Sequence, residues 1–339
     1  MRIIKKAGYL ILVLVCVSFL SFLLANISAI DPAEAYARRV VRSANKELIA
    51  QYRELTGFDK TILQQYLSWL HKAVRLDFGV SYLTKKSVRQ ELGKALPVTL
   101  LIAACASVFS IIAAVPLGIA AALYKNRLAD KLIGFISFLS FSVPGYCTGL
   151  LVLLVFGMRL HLFPVIGHGQ GSSVLFASFT LALPMTGTLI RLLRSFLLEN
   201  EEKEYIQYAK ARGITDRNIM TRHLLRNAAP MLVTLWGQNI GYLIAGTAIA
   251  ETIFSIPGIG MYALNAAVNR DFPVINAYLI VTAFTFTVCN GAAEFIGEAL
   301  NPVRGIVHEG KNECRARCRA RYGFGIGYHR CFLRCVGAE

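Results

Sequence analysis

The sequence predicts an all-α integral membrane protein with six transmembrane helices and an external helical insertion between spans one and two. Three observations predict it. Hydrophobic residues fill 55% of the 339 positions and charged residues only 17%, against about 25% charged in soluble domains, and the mean hydropathy is +0.52. Apolar runs of about 20 residues, the length that crosses a bilayer, recur along the chain. Basic residues crowd the ends of those runs, as positive-inside topology requires. The formal charge of +16 therefore reads as membrane topology, with the lipid bilayer as partner and no nucleic acid.

Residues 1–30 carry Arg2, Lys5 and Lys6 and then an apolar run from Tyr9 to Ile30. A signal peptide also starts basic, but its apolar core is only about 7–15 residues, and ANISA at 25–29 is a poor cleavage site. These residues read as a cytoplasmic N-terminus and a retained first span. Residues 31–95 read as the external helical segment. Asp31-Pro32 starts a helical stretch that ends at Gly57, and a second stretch spans 59–76. Its stripe of Ile62, Leu63, Tyr66, Leu67, Leu70 and Val74 predicts packing, and Tyr66, Trp69 and Tyr82 suit an interfacial belt. The Lys and Arg residues here do not obey the charge rule, which weakens in loops beyond about 60 residues.

Residues 96–304 read as a five-span core. The second span runs from Pro97 to Tyr124 with Pro116 and Gly118 inside it, and Lys125, Arg127 and Lys131 place the following turn in the cell. The third covers Leu132–Met158 and contains Ser142-Val143-Pro144-Gly145. An external loop, 159–173, holds Gly167, Gly169 and Gly171. The fourth, Val174–Leu193, holds Pro184 and is closed by Arg191 and Arg194. The loop 195–229 precedes a fifth span, Met231–Ile253. A Gly/Pro-rich external excursion, 254–275, leads to the sixth, Asn276–Leu300. Proline and glycine inside spans are tolerated where neighbouring helices or a cavity satisfy the freed backbone, which suits a transport pathway.

The charge-dense stretch Glu204–Pro230, between two apolar runs, reads as a polar helix, a break at Gly213, and a second basic helix running into the membrane. A plain solvated loop is the alternative on pattern alone. Glu204, Ala209, Gly213 and Pro230 fall in the register of the EAA loop of ABC-importer inner-membrane permeases, and the stretch resembles that loop. Tyr205 and Ile206 replace two alanines, as is usual in the dipeptide/oligopeptide/nickel branch. The resemblance implies a coupling helix docked in a groove of an ATPase, with Glu204, Tyr205, Ala209, Arg212, Gly213 and Pro230 as coupling residues. Further elements resemble that branch in the same order: Asp31-Pro32, Gly57-Phe58-Asp59, Gln65-Tyr66, Trp69-Leu70, Asp77-Phe78-Gly79 and Ser81-Tyr82. So does Glu251-Thr252-Ile253-Phe254-Ser255-Ile256-Pro257-Gly258-Ile259-Gly260, followed by Asn269-Arg270-Asp271-Phe272-Pro273.

Pro257, Gly258 and Gly260 break the helix near the outer face. Glu251, Phe254, Pro257, Gly258, Gly260, Arg270 and Asp271 thus mark either an outer gate or binding-protein contact, or a structural re-entrant turn. Glu251 is expected to reach the headgroups, and Arg270 and Asp271 to pair with each other. Glu294 is an ionisable group inside the sixth span, which makes it a functional candidate. It matches an acidic position in the family's last helix, and packing against a polar partner helix is its expected role. Glu298 is expected to reach water. His71, His161 and His168 lack ligand spacing. With no Gly-rich phosphate loop and no Ser/His/Asp arrangement, the chain is expected to be a transporter subunit rather than an enzyme, ATP hydrolysis lying on a separate chain.

Residues 305–339 form a Cys/Arg-rich tail, expected to be cytoplasmic. Cys314/Cys318 and Cys331/Cys335 make two C-x3-C pairs, each on one helix face. Four thiolates fit a tetrahedral Zn site, twin disulfide hairpins are disfavoured in the cytoplasm, and a basic tail on the membrane surface is the third reading. Cys16, Cys105, Cys147 and Cys289 lie singly in apolar runs as small hydrophobes.

Together the resemblance, over about residues 1–304, implies one of two permease subunits in a bacterial cytoplasmic (inner) membrane, with both termini in the cytoplasm. Its partners would be a second permease subunit, two cytoplasmic ABC ATPases and an extracytoplasmic substrate-binding protein. Peptides, nickel or metal complexes are the expected cargo, with Asp31-Pro32-Ala33-Glu34 and the Cys tail tilting toward nickel. An ATPase-independent channel or exporter, and a membrane-anchored metal sensor acting through the tail, are the competing classes.

Overall fold

The computed structural model describes residues 2–27, 61–164 and 171–300. The readings made on residues 31–60, on His168, and on the tail with Cys314, Cys318, Cys331 and Cys335 lie outside the described residues, as does the side chain of Glu298.

The regular elements among the described residues are all helices, apart from a single isolated bridge between Val80 and Ser87. In chain order the elements are α1 (Arg2–Ile27), α2 (Ile62–Val74), α3 (Val88–Leu123), α4 (Leu128–Ser142) and α5 (Gly145–Val152), which continues as a π-helical turn over Leu153–Arg159. Then come α6 (Gly171–Glu201), α7 (Glu204–Ala211), α8 (Leu225–Ile253), α9 (Ile259–Val268) and α10 (Phe272–Leu300). A short turn at Asp216–Asn218 and a π-helical turn at Ile219–Leu224 lead into α8.

Among the described residues, α3, α6 and α10 are long and apolar enough to cross a membrane, and α4 with the segment Gly145–Arg159 makes a fourth if the pair counts as one span. Helices α1 and α8 have 26 and 29 residues, about 39 and 44 Å at about 1.5 Å per residue, against a hydrocarbon core of about 30 Å. Helix α3 packs along α6, and α8 along α10. Small residues let the second pair approach closely: a Cβ on Gly237 would lie 1.7 Å from that of Ala293, and one on Gly241 would lie 2.0 Å from the Phe286 ring. The central core joins Ala103 and Ala106 of α3 to Met185, Leu189 and Ile190 of α6 and Leu243 and Ile244 of α8.

The long helices run between two ends. One, the loop end, holds the start of α4, the end of α6, α7 and the lead-in to α8. The other, the re-entrant end, holds α9 and the starts of α3 and α10. Helix α1 finishes there, because Ser21 Oγ donates to Asn276 Oδ1 at 2.6 Å.

Four expectations are corrected. Leu132–Met158 is not one continuous span, since α4 and the Gly145–Arg159 segment meet at 103°. Pro144 lacks an N–H and drives Val143 to extended backbone (φ −80°, ψ 126°), which ends α4. Helices α3 and α8 do not begin at Pro97 and Met231 but at Val88 and Leu225, so Pro97 and Pro230 lie inside helices, where packed neighbours tolerate the lost hydrogen bond. The excursion 254–275 is not simply a Gly/Pro-rich loop but carries the apolar helix α9, packed back on α8 and α10. Finally, the helix predicted over 59–76 is α2, with a capping box in which Gln64 N donates to Thr61 Oγ1 and Thr61 N to Gln64 Oε1. Its packed stripe is Tyr66, Trp69, Leu70 and Ala73, whereas Ile62, Leu63, Leu67 and Val74 are exposed. Helix α1 selects that stripe by receiving Tyr66.

Candidate functional site

At the loop end, the polar segment folds as its pattern requires. Helix α7 buries Ile206 and Ala209, three apart on one face, against Leu193 and Leu197 of α6 and Ile219, Met220 and Leu224 ahead of α8. The rest of α7 is exposed, including Glu204, Tyr205 and Tyr208, the last at 66%. Gly213 ends the helix in the left-handed region at φ +78°. Its N–H donates to the Lys210 carbonyl at 2.9 Å, and the Ile214 N–H donates to the Ala209 carbonyl at 3.2 Å. These are the two bonds of a Schellman cap, and Ile214 joins the same apolar cluster as Ala209. A Cβ on Gly213 would meet nothing within 4 Å, so glycine is needed there for conformation and not for space.

Polar contacts tie the knob down. Asn227 Nδ2 donates to Tyr205 Oη at 3.2 Å, and Arg212 lies over the Tyr208 ring at 5.7 Å. Lys210 Nζ donates to Glu201 Oε1 at 2.7 Å, and that bond raises the Lys210 pKa above its ordinary value. Pro230 lies beyond the knob, within α8.

At the re-entrant end, Glu251 is 0% exposed, which overturns the expectation that it reaches the headgroups. Thr99 Oγ1 of α3 donates to Glu251 Oε1 at 2.5 Å, and Met261 N of α9 donates to Oε2 at 2.8 Å. Thr99 Oγ1 in turn accepts from Ile259 N at 2.9 Å. The carboxylate thus satisfies the free N–H groups at the start of α9, directly and through Thr99, where the helix dipole also favours negative charge. Gly258 makes room for it, and Gly260 lets the start of α9 approach α8 at Ala248. A Cβ on Gly258 would lie 2.2 Å from Glu251 Cδ, and one on Gly260 would lie 2.4 Å from Ala248 Cα. Phe254 and Ile256 are buried in a cluster with Ile102 and Phe163. The residues from Glu251 to Gly260 are therefore brought together as one packed unit joining α3, α8 and α9.

Asp271 forms a second buried node, at 1% exposure. It accepts from Ser81 Oγ at 2.5 Å, Tyr82 N at 3.0 Å and Leu83 N at 3.1 Å. The expected Arg270–Asp271 pair is not formed, because these three donors, all from the turn before α3, fill the carboxylate. Arg270 takes φ +54° beside it. Asp77 Oδ1 orders the start of that turn by accepting from Gly79 N at 3.0 Å.

Like the exposed Lys210–Glu201 pair, a more buried ion pair escaped the sequence reading. Arg194 Nε and Nη2 donate to Asp130 Oδ1 and Oδ2 at 2.7 and 2.8 Å, a bidentate bond of the strong class. It fastens the start of α4 to the end of α6. The available signal was opposite charge at the same end of adjacent apolar runs. Above it, a cavity of about 440 Å³ opens at the α4–α5 break, lined by Phe141, Gly145, Pro184, Met185, Asn239 and Tyr242 among others. Glu294 is exposed on α10. His71 and His161 are exposed, and the described residues contain no group of three or more His, Cys, Asp or Glu placed to hold a metal ion.

The description "binding-protein-dependent transport system inner membrane component" matches residues 114–304. The chain is 30% identical over 301 residues to the metal-staphylopine import system permease protein CntB of Staphylococcus aureus, covering 88% of this chain and 96% of that protein. It is 29% identical over 300 residues to the glutathione transport system permease protein GsiC of Escherichia coli, covering 88% and 97%. Its fold resembles a chain of the inward-facing MetNI methionine ABC transporter, with a TM-score of 0.52, 18% identity, and 62% of this chain and 95% of that chain covered. The chain belongs to the binding-protein-dependent transport system inner membrane components, as the permease component of an ABC importer.

Proposed function

We propose that this chain is one of two permease subunits of an importer for peptides or metal complexes, driven by two ATPases docked at its loop end and supplied by a substrate-binding protein at its re-entrant end. It crosses the membrane six times, through α1, α3, the bent α4–α5 pair, α6, α8 and α10, with both termini and the loop end in the cytoplasm. The observation that carries this reading is α7, a short helix that buries only Ile206 and Ala209 and leaves Tyr205 and Tyr208, with Arg212 at its end, exposed. Movement imposed on that helix passes through its cluster into α6 and the lead-in to α8, a rigid-body coupling between sites. Helix α8 carries it to Glu251. The α4–α5 break with its cavity is the candidate stretch of pathway, and exposed Glu294 on α10 the candidate contact to the second permease.

The cargo reading leans on the two named relatives, one a metal-staphylopine permease and the other a glutathione permease. The Cys tail adds, as a proposal, a tetrahedral Zn site on the four thiolates of Cys314, Cys318, Cys331 and Cys335.

The test is uptake in cells lacking this gene, complemented by wild type or by Gly213→Asp. Cargo is labelled nickel with and without free histidine, glutathione, and di- and pentapeptides. A Cβ at position 213 meets no neighbour, and a left-handed residue costs roughly 1–2 kcal/mol, less for Asp. The variant is therefore expected to insert normally and to lose uptake. Normal uptake by Gly213→Asp overturns the coupling assignment. Restoration of metal uptake by wild type identifies a metal importer, and restoration of peptide uptake removes the nickel reading.

A further inference from the structure

Helix α2 divides its surface into three sectors. On the first, Tyr66 and Ala73 are buried and Trp69 and Leu70 half-buried. This sector rests on the second half of the apolar stretch Leu10–Leu23 of α1. Tyr66 Oη lies 2.9 Å from Ser18 Oγ and donates to the Val15 carbonyl at 3.2 Å, while the Tyr66 ring meets Phe19 and Phe22 edge-on at 5.2 and 5.8 Å. Ala73 joins a buried cluster that also holds Val88 and Leu92 of α3 and Ala277 of α10.

The second sector is apolar and uncovered. Leu63, Leu67 and Val74 are 58, 54 and 78% exposed, and at 3.6 residues per turn they fall within about 40° of one another. The third sector, on the far side of these residues, holds Gln64, Ser68, His71 and Lys72, with Arg75 following at the helix end. It contains three basic or titratable groups and no acid. Protein, apolar surface and basic polar surface therefore follow one another around a single short helix.

A loop helix standing in water above the membrane has no use for the middle sector. A helix lying in the membrane plane beside a span uses all three: one side against protein, one toward acyl chains, one toward headgroups and water. The depth agrees, because α2 contacts α1 at residues 15–22, inside its apolar stretch and not beyond its end. The surface is also continuous, since α1 alongside exposes Ile11, Leu12, Val15 and Leu20. The basic residues complement lipid phosphates. We infer that α2 is an in-plane anchor seated at the acyl–headgroup boundary of the leaflet at the re-entrant end, with Leu63, Leu67 and Val74 in contact with lipid. The docked helix holds the turn Asp77–Ser87, and with it the Asp271 node, at a fixed height in the bilayer.

The test uses the whole importer in phospholipid nanodiscs containing an anionic lipid. A ketone-bearing amino acid replaces one residue at a time, at 63, 67, 74, 64 or 68, and is coupled to a nitroxide, which leaves the native cysteines unlabelled. Collisions with oxygen, which concentrates in lipid, are compared with collisions with a water-soluble nickel chelate. At 63, 67 and 74 oxygen collisions should exceed nickel-chelate collisions several-fold, and at 64 and 68 the order should reverse. Equal nickel-chelate access at 67 and 68 would place the helix in water and overturn the inference. Low access to both reagents at 67 and 74 would mean that protein covers the sector, either a second copy or residues 28–60 of this chain, and would overturn it as well. Reading three apolar positions keeps the result independent of any one variant that fails to assemble.

Discussion

The two ends of the molecule hold their polar groups in opposite ways. At the re-entrant end, Glu251 and Asp271 are buried and their oxygens are filled by donors from distant elements: Thr99 and Met261 for one, Ser81, Tyr82 and Leu83 for the other. At the loop end, α7 is fixed by two apolar anchors, a Schellman cap and exposed polar contacts from Tyr205 and Lys210. The first arrangement is costly to disturb because removing a carboxylate orphans its buried donors. The second is cheap to disturb yet presents chemistry outward. The proposed coupling role fits this difference, with a rigid clamp where helices are joined and an accessible knob where the proposed ATPase would push.

The largest effect that sharpens this comparison is expected from Glu251→Ala. It leaves the Thr99 hydroxyl and the Met261 N–H without acceptors, at about 1–3 kcal/mol each. The purified protein should lose about 3 kcal/mol, read as a fall in detergent melting temperature, with Glu251→Gln recovering part of it. An unchanged melting temperature would break the contrast at its strongest point. Asp271→Ala should follow at about 2 kcal/mol, because Ser81 still accepts from Leu83 and Thr84 and keeps part of the turn. Limited proteolysis at residues 77–87 is the direct measurement, and resistance equal to wild type would argue against the clasp.

Tyr208→Ala should do the reverse of both. The side chain is 66% exposed, so stability should stay within about 0.5 kcal/mol, while transport-coupled ATP hydrolysis by the assembled importer falls. A variant that melts early instead would show that α7 is part of the core. The smallest effect belongs to Lys210. Its pKa is raised by Glu201, so the pair's contribution is fully present below the unfolded value near 10.5 and is lost only as pH rises through the higher folded value. Loop-end stability should therefore be flat between pH 6 and 9, and Lys210→Met should cost under about 1 kcal/mol. A melting temperature that changes across that range in wild type but not in Lys210→Met would contradict the assignment.

Much of the loop end was legible because its determinants are local. Glu204 to Gly213 is a polar helix with a glycine stop, and the stop works by backbone conformation that any reader of the sequence can expect. The re-entrant end was legible as a motif but not as chemistry. Nothing in a single sequence pairs Asp271 with Ser81, 190 residues away, so its neighbour Arg270 was the natural but wrong partner. Glu251 read as a headgroup contact because burying a carboxylate is costly, and the donors that offset the cost come from α3 and α9. Helix α2 shows the same limit on a smaller scale: its periodicity announced an apolar stripe, but four of the six residues in that stripe face away from the protein.

By itself, the sequence determined the membrane class, the long apolar helices, the polar knob and its glycine cap, because hydropathy, helix periodicity and turn conformation are properties of neighbouring residues. Tertiary structure alone decided that Pro144 ends a helix while Pro97, Pro116, Pro184 and Pro230 do not, which face of α2 is covered, and which groups satisfy the buried carboxylates. Those outcomes depend on what lies across the interface. Only packing brings Thr99 to Glu251, Ser81 to Asp271 and Arg194 to Asp130, and a buried charge is stable or ruinous according to the partner it meets.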